Sequence, residues 1–111
     1  IREVYDGSEQ LKNRLGRHHA DPDTTFRGWN DAWQLPGFID WNIEEYLPEI
    51  NCPTLVIQGL NDEYGTLEQV DRIENGVGGI CERLVLGECG HAPHREKAEA
   101  VLSAVEKFLK R

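Results

Sequence analysis

Apolar positions change their period part-way along this chain. Up to about Pro48 they recur every three or four residues, the spacing of helices with one buried face. Ser8 is placed to cap a helix carrying Leu11, Leu15 and His18 or His19 on one side. Asp21-Pro22-Asp23 closes that helix and opens a second, on which Phe26, Trp29, Ala32 and Trp33 form an aromatic stripe ended by Pro36-Gly37. Asn42 with Glu45 has the spacing of a capping box for a short third helix containing Tyr46 and Leu47. No strand is expected in this part.

Beyond the break at Pro48 to Pro53 the rhythm is that of alternating strands and helices. Thr54-Leu55-Val56-Ile57-Gln58 is a continuous β-branched and apolar run, the mark of a strand covered on both faces. A loop from Gly59 to Gly65 follows. Thr66 and Gln69 then offer a second capping box, for a helix with Leu67, Val70 and Ile73 on its inner face and Asn75-Gly76 at its end. Glu82 to Leu86 reads as the next strand and Gly87 to Pro93 as the next loop. The last helix carries Ala98, Val101, Leu102, Val105, Phe108 and Leu109 on one stripe. Strand, helix, strand, helix predicts an α/β unit of two parallel strands joined by a right-handed crossover, preceded by a helical segment. The expected division is therefore 1–47 and 48–111.

Parallel strands deliver their C-terminal loops to one edge of a sheet, where open α/β proteins place their sites. Asp62 lies in the first such loop and His91 in the second, 29 positions later. On neighbouring strands about 4.8 Å apart, the carboxylate can reach the imidazole. A carboxylate on one ring nitrogen fixes the tautomer and leaves the other nitrogen free to take a proton. Spacing alone also allows a plainer account, in which Asp62 caps its loop and His91 is solvated.

The local sequences go further. Cys52-Pro53-Thr54-Leu55-Val56-Ile57-Gln58-Gly59-Leu60-Asn61-Asp62 resembles the strand and acid loop of α/β-hydrolases, in which the acid stands three residues past the glycine. Cys89-Gly90-His91-Ala92-Pro93 resembles the histidine loop of that family, which leads into its final helix. The order acid then histidine is also the order of the family. The resemblance covers Pro48 to Arg111 and implies that Asp62 and His91 are the acid and histidine of a catalytic triad. It implies hydrolysis of an ester, thioester or activated carbon–carbon bond in a small-molecule substrate, without a cofactor. Residues 1–47 resemble the end of the helical cap that such proteins carry before the acid strand. The stripe at Phe26, Trp29 and Trp33 either lines an acyl pocket or packs the cap on the sheet, and packing is the commoner use of large aromatics. Ala98 stands where relatives often have proline.

The nucleophile is the missing part. The only serines are Ser8 and Ser103, neither within G-x-S-x-G, and no strand-to-helix elbow or oxyanion-hole segment is visible. An aspartate nucleophile, as in epoxide hydrolases and haloalkane dehalogenases, lacks its segment too. The first residue is Ile1, not Met, and the chain is expected to be a C-terminal fragment, inactive alone. Ser, Asp and Cys all stay open as the missing group, and Glu63 is the next candidate should Asp62 not be the acid.

Other chemistries fit the residues less well. Cys89, His91 and His94 have no standard zinc spacing, and their nearest fourth partners, His18 and His19, lie in the helical part. Cys89 as a nucleophile beside His91 would sit next to Glu88, the wrong charge to favour a thiolate. Asn61-Asp62-Glu63 with Gly65 lacks the alternating carboxylates of a calcium loop. With 20 acidic and 12 basic residues among 111, a net charge of −8 disfavours nucleic acid and anionic membrane surfaces as partners. No apolar run reaches the roughly 20 residues of a membrane span. Three cysteines without a C-x-x-C pair point to a reducing, cytoplasmic setting. Two strands make only part of a sheet, so the non-enzymatic alternative is an interaction module or subunit that completes its sheet with a partner. Self-association through the edge of Thr54 to Gln58 is the form expected.

Overall fold

The computed structural model describes residues 1–111 as a mixed α/β chain with one parallel two-stranded sheet. It divides into two compact units, Ile1–Trp41 and Asn42–Arg111. No helix is long and apolar enough to cross a membrane.

The first unit contains α1 (Arg2–Gly7), α2 (Glu9–Gly16), α3 (Pro22–Gln34) and a 3₁₀ turn, Pro36–Asp40. Ser8 caps α2 as its position predicts, its Oγ accepting from the Leu11 amide at 3.1 Å. Asp21 caps α3 through Thr24 N–H at 3.2 Å, with Pro22 in the first turn where its missing donor costs nothing. Helix α2 stops at Gly16, so His18 and His19 lie beyond it and are exposed. Helix α1 was not signalled by any periodic run; it is held by Tyr5, which is fully buried and stacks on Phe26 at 3.9 Å. The aromatic stripe divides accordingly. Phe26 is core, whereas Trp29 and Trp33 remain more than half exposed and continue a ladder of rings to Phe38 and Trp41.

The second unit begins with a 3₁₀ turn, Glu44–Glu49, in place of the expected capped helix. Asn42 does not cap over three residues; its Oδ1 accepts from Glu44 N–H at 2.6 Å, closing a shorter Asx turn. Strand β1 (Thr54–Gly59) and strand β2 (Cys81–Leu86) pair in parallel from Thr54↔Cys81 to Gly59↔Leu86, with α4 (Leu67–Gly76) between them. Val70 is the buried residue of α4, flanked by half-buried Leu67 and Ile73. The second capping box is absent as well. The Thr66 side chain makes no cap, and its carbonyl takes the Gln69 amide at 3.1 Å.

The last helical segment is broken. A single turn, α5 (Pro93–Glu96), is separated by Lys97 from α6 (Ala98–Leu109). Val101, Ala104, Val105 and Phe108 of α6 are half-buried, while Leu102 and Leu109 of the expected stripe are largely exposed. Strand β1 is likewise less covered than its sequence predicts, since Thr54 to Ile57 are only half-buried and full burial starts at Gln58 and Gly59. The helices packed against β1, namely α4, α5 and α6, do not cover its faces along their whole length.

Candidate functional site

The ends of β1 and β2 are adjacent because the ladder is parallel, and hydrogen bonding continues past it. Leu60 N–H donates to Leu86 O at 2.8 Å, and Asn61 N–H donates to Cys89 O at 2.8 Å. The loop after β1 and the loop after β2 are therefore joined backbone to backbone, one residue before Asp62 and two before His91. Gly59 permits this approach. A Cβ there would lie 2.1 Å from the Gly90 carbonyl oxygen and 2.3 Å from that of Cys89, so only hydrogen fits. Cys89 is buried beneath the second loop. Just before it, Glu88 adopts a left-handed conformation, with φ of 50°, that turns the chain out of β2.

Two further side chains shape the acid loop. Gln58, buried at the end of β1, donates through Nε2 to the carbonyls of Gly65 and Thr66, both at 3.1 Å. This single amide ties the far end of the loop back to the strand. Asp62 Oδ1 accepts from Tyr64 N–H at 2.8 Å, an Asx turn that orients the carboxylate.

His91 meets that carboxylate. Its Nδ1 lies 3.1 Å from Asp62 Oδ1 and 3.1 Å from Oδ2, bridging both oxygens. The edge of the Tyr64 ring packs against the imidazole with centroids 4.8 Å apart. Asp62 is well covered, its side chain 10% exposed, whereas that of His91 is 60% exposed. The Tyr64 amide and the imidazole beside it hold the Asp62 carboxyl below its ordinary value, against the opposing effect of its partial burial. An ionised carboxylate only accepts, so the proton of a neutral imidazole resides on Nδ1. The Nε2 lone pair is left facing outward with no partner in the chain. In this arrangement Nε2 is able to accept a proton.

The other candidates are placed elsewhere or are chemically muted. No group of three or more His, Cys, Asp or Glu side chains converges on a point that could hold a metal. His94 is exposed on α5. Burial, with Glu96 nearby, pushes the Cys89 thiol up, which disfavours the thiolate. Glu63 forms no hydrogen bond with His91; its carboxylate end lies towards Gly90. Ser8 is engaged as the cap of α2, and Ser103 is exposed on α6.

Sequence reasoning missed Gln58, Tyr64 and Glu96. Glu96 accepts from the amides on both sides of His91, Gly90 at 3.0 Å and Ala92 at 3.1 Å. The legible signal for it was a glutamate in the first turn after the loop, able to reach back as in a capping box.

Comparison with protein-family models, with curated proteins and with solved structures found no match.

Proposed function

We propose that Asp62 and His91 are the acid–base half of a nucleophile–His–Asp site in a protein of α/β-hydrolase type. His91 Nε2 takes the proton of a nucleophile during attack and returns it to the leaving group. Asp62 fixes the tautomer and stabilises the imidazolium in between. The substrate is a small molecule with an ester, thioester or activated carbon–carbon bond. The nucleophile comes from polypeptide outside residues 1–111, since no hydroxyl, thiol or carboxylate of this chain is hydrogen-bonded to Nε2. What carries this reading is one observation: His91 Nδ1 sits 3.1 Å from both oxygens of a well-covered carboxylate while its other nitrogen is free.

A second reading has its own support in the unpaired outer edges of the two-stranded sheet. In it the chain is a module that completes its sheet by strand addition, with a second copy joined along β1 as the simplest case. The reading frame upstream of Ile1 separates the two. About 150 residues or more containing G-x-S-x-G between a strand and a helix is the outcome expected of the enzyme. A start codon directly before Ile1 overturns it in favour of the module. Light scattering then gives a dimer or larger species at micromolar concentration, and a monodisperse monomer removes the module reading as well.

A further inference from the structure

Glu96 is the last residue of α5, five positions after His91. Its side chain turns back over the turn, and its two oxygens take separate donors: Oε1 accepts from Gly90 N–H at 3.0 Å and Oε2 from Ala92 N–H at 3.1 Å. Those two amides bracket His91. Helix α5 has no other side-chain cap, and neither amide has a second acceptor within the chain. Upstream, the same loop is fixed by the bond from Asn61 N–H to Cys89 O. The backbone carrying the imidazole is therefore pinned at Cys89, Gly90 and Ala92, and two of the three pins are one carboxylate. The ring itself is 60% exposed, with the Asp62 carboxylate as its hydrogen-bond partner and the Tyr64 ring packed edge-on beside it. Little packing remains to aim it, so its direction follows from the peptide planes on either side.

We propose that Glu96 is the positioning residue of His91, holding the loop so that Nδ1 faces Asp62 and Nε2 faces outward. This rests on reading Asp62 and His91 as a catalytic couple. Chemically, two amide donors flanking one residue require two acceptors, and a carboxylate supplies both without a competing donor. Glutamine offers one oxygen and an NH₂ group that cannot accept, so it keeps one of the two bonds. Alanine keeps neither.

The test is the tautomer of His91 in the ¹⁵N-labelled 111-residue chain, read from long-range ¹H–¹⁵N correlations at a pH where the imidazole is neutral. In the native chain the Nδ1-protonated form dominates. Glu96→Ala is expected to lower its share by roughly half or more, towards the mixture of a free imidazole, and Glu96→Gln is expected to fall between. Asp62→Ala, which removes the carboxylate directly, gives the reference for complete loss. A native-like tautomer in Glu96→Ala, with Asp62→Ala shifted, overturns the role of Glu96 and leaves it a helix cap, whatever the change in melting temperature. An unshifted tautomer in Asp62→Ala instead overturns the Asp62–His91 couple itself. Should Glu96→Ala fail to fold, as judged by circular dichroism, Glu96→Gln decides: partial loss supports the proposal, and a native tautomer overturns it.

Discussion

Replacing Gly59 by alanine adds one methyl group at the point where the two site loops touch. The new carbon would lie 2.1 Å from Gly90 O, 2.3 Å from Cys89 O and 2.7 Å from the Cys89 carbonyl carbon. An ordinary carbon–oxygen contact is about 3.3 Å or more, so the loops must part by roughly 1 Å. All three obstructing atoms are backbone, and no rotamer change relieves them. Separation on that scale breaks the 2.8 Å bond between Asn61 N–H and Cys89 O, worth about 1 kcal/mol. Overpacking adds about 1–3 kcal/mol. The expected destabilisation of the second unit is thus about 2–4 kcal/mol. Urea titration followed at the amide resonances of β1 measures it. With a slope of about 1–2 kcal/mol per molar, the midpoint drops by about 1–4 M. Gly87→Ala is the matched control, because a Cβ there meets nothing within 4 Å. It is expected to stay within about 0.5 kcal/mol of the native chain. A Gly59→Ala midpoint equal to that of Gly87→Ala would refute the close approach of the two loops.

Three more outcomes follow from the same geometry. The Asp62 carboxyl is lowered in the folded chain, chiefly by the Tyr64 amide, so the stability it lends is complete above its ordinary value near pH 4 and drains as pH falls through the lowered one. Asp62→Asn should flatten acid unfolding in that window, and an acid titration identical to the native one contradicts this. Among the thiols, exposed Cys52 should react fastest with an aromatic disulfide at neutral pH and Cys89 slowest, because burial both shields Cys89 and raises it. Labelling of Cys89 at the rate of Cys52 would restore it as a candidate nucleophile. In the first unit, Gly28 lies in the middle of α3 with open space around its Cα. Gly28→Ala should raise the stability of that unit by about 0.5–1 kcal/mol, and an unchanged or lower helix melting temperature counts against a continuous α3.

How much of this was legible in the sequence depends on whether the deciding interaction is local. Ser8 and Asp21 announced their helices because a cap acts over three residues. The strand pair was legible from the run Thr54 to Gln58, and the pairing of Asp62 with His91 from the rule that parallel strands share a C-terminal edge. Helix α1 was not, since what stabilises it is the stacking of Tyr5 on Phe26, a contact 21 residues away in the chain. Both expected capping boxes failed for a related reason. Asn42 found a nearer amide at Glu44, and the Thr66 carbonyl, rather than its hydroxyl, received the bond. The start of the last helix is broken at Lys97, next to Glu96, whose carboxylate is committed to the histidine loop. Nothing in the period of apolar residues signals such a commitment. The half-exposed faces of β1 and the exposed Leu102 and Leu109 mark the opposite limit, where an apolar pattern calls for more covering surface than two strands and their helices supply.

The claim that Asp62 and His91 are a working couple is tested most directly by turnover of activated esters and thioesters by the protein encoded by the complete reading frame. His91→Ala is expected to lower turnover by about 10⁴-fold or more with circular dichroism unchanged, and Asp62→Asn to follow it closely. A folded His91→Ala protein that hydrolyses its substrate at the native rate would contradict the account.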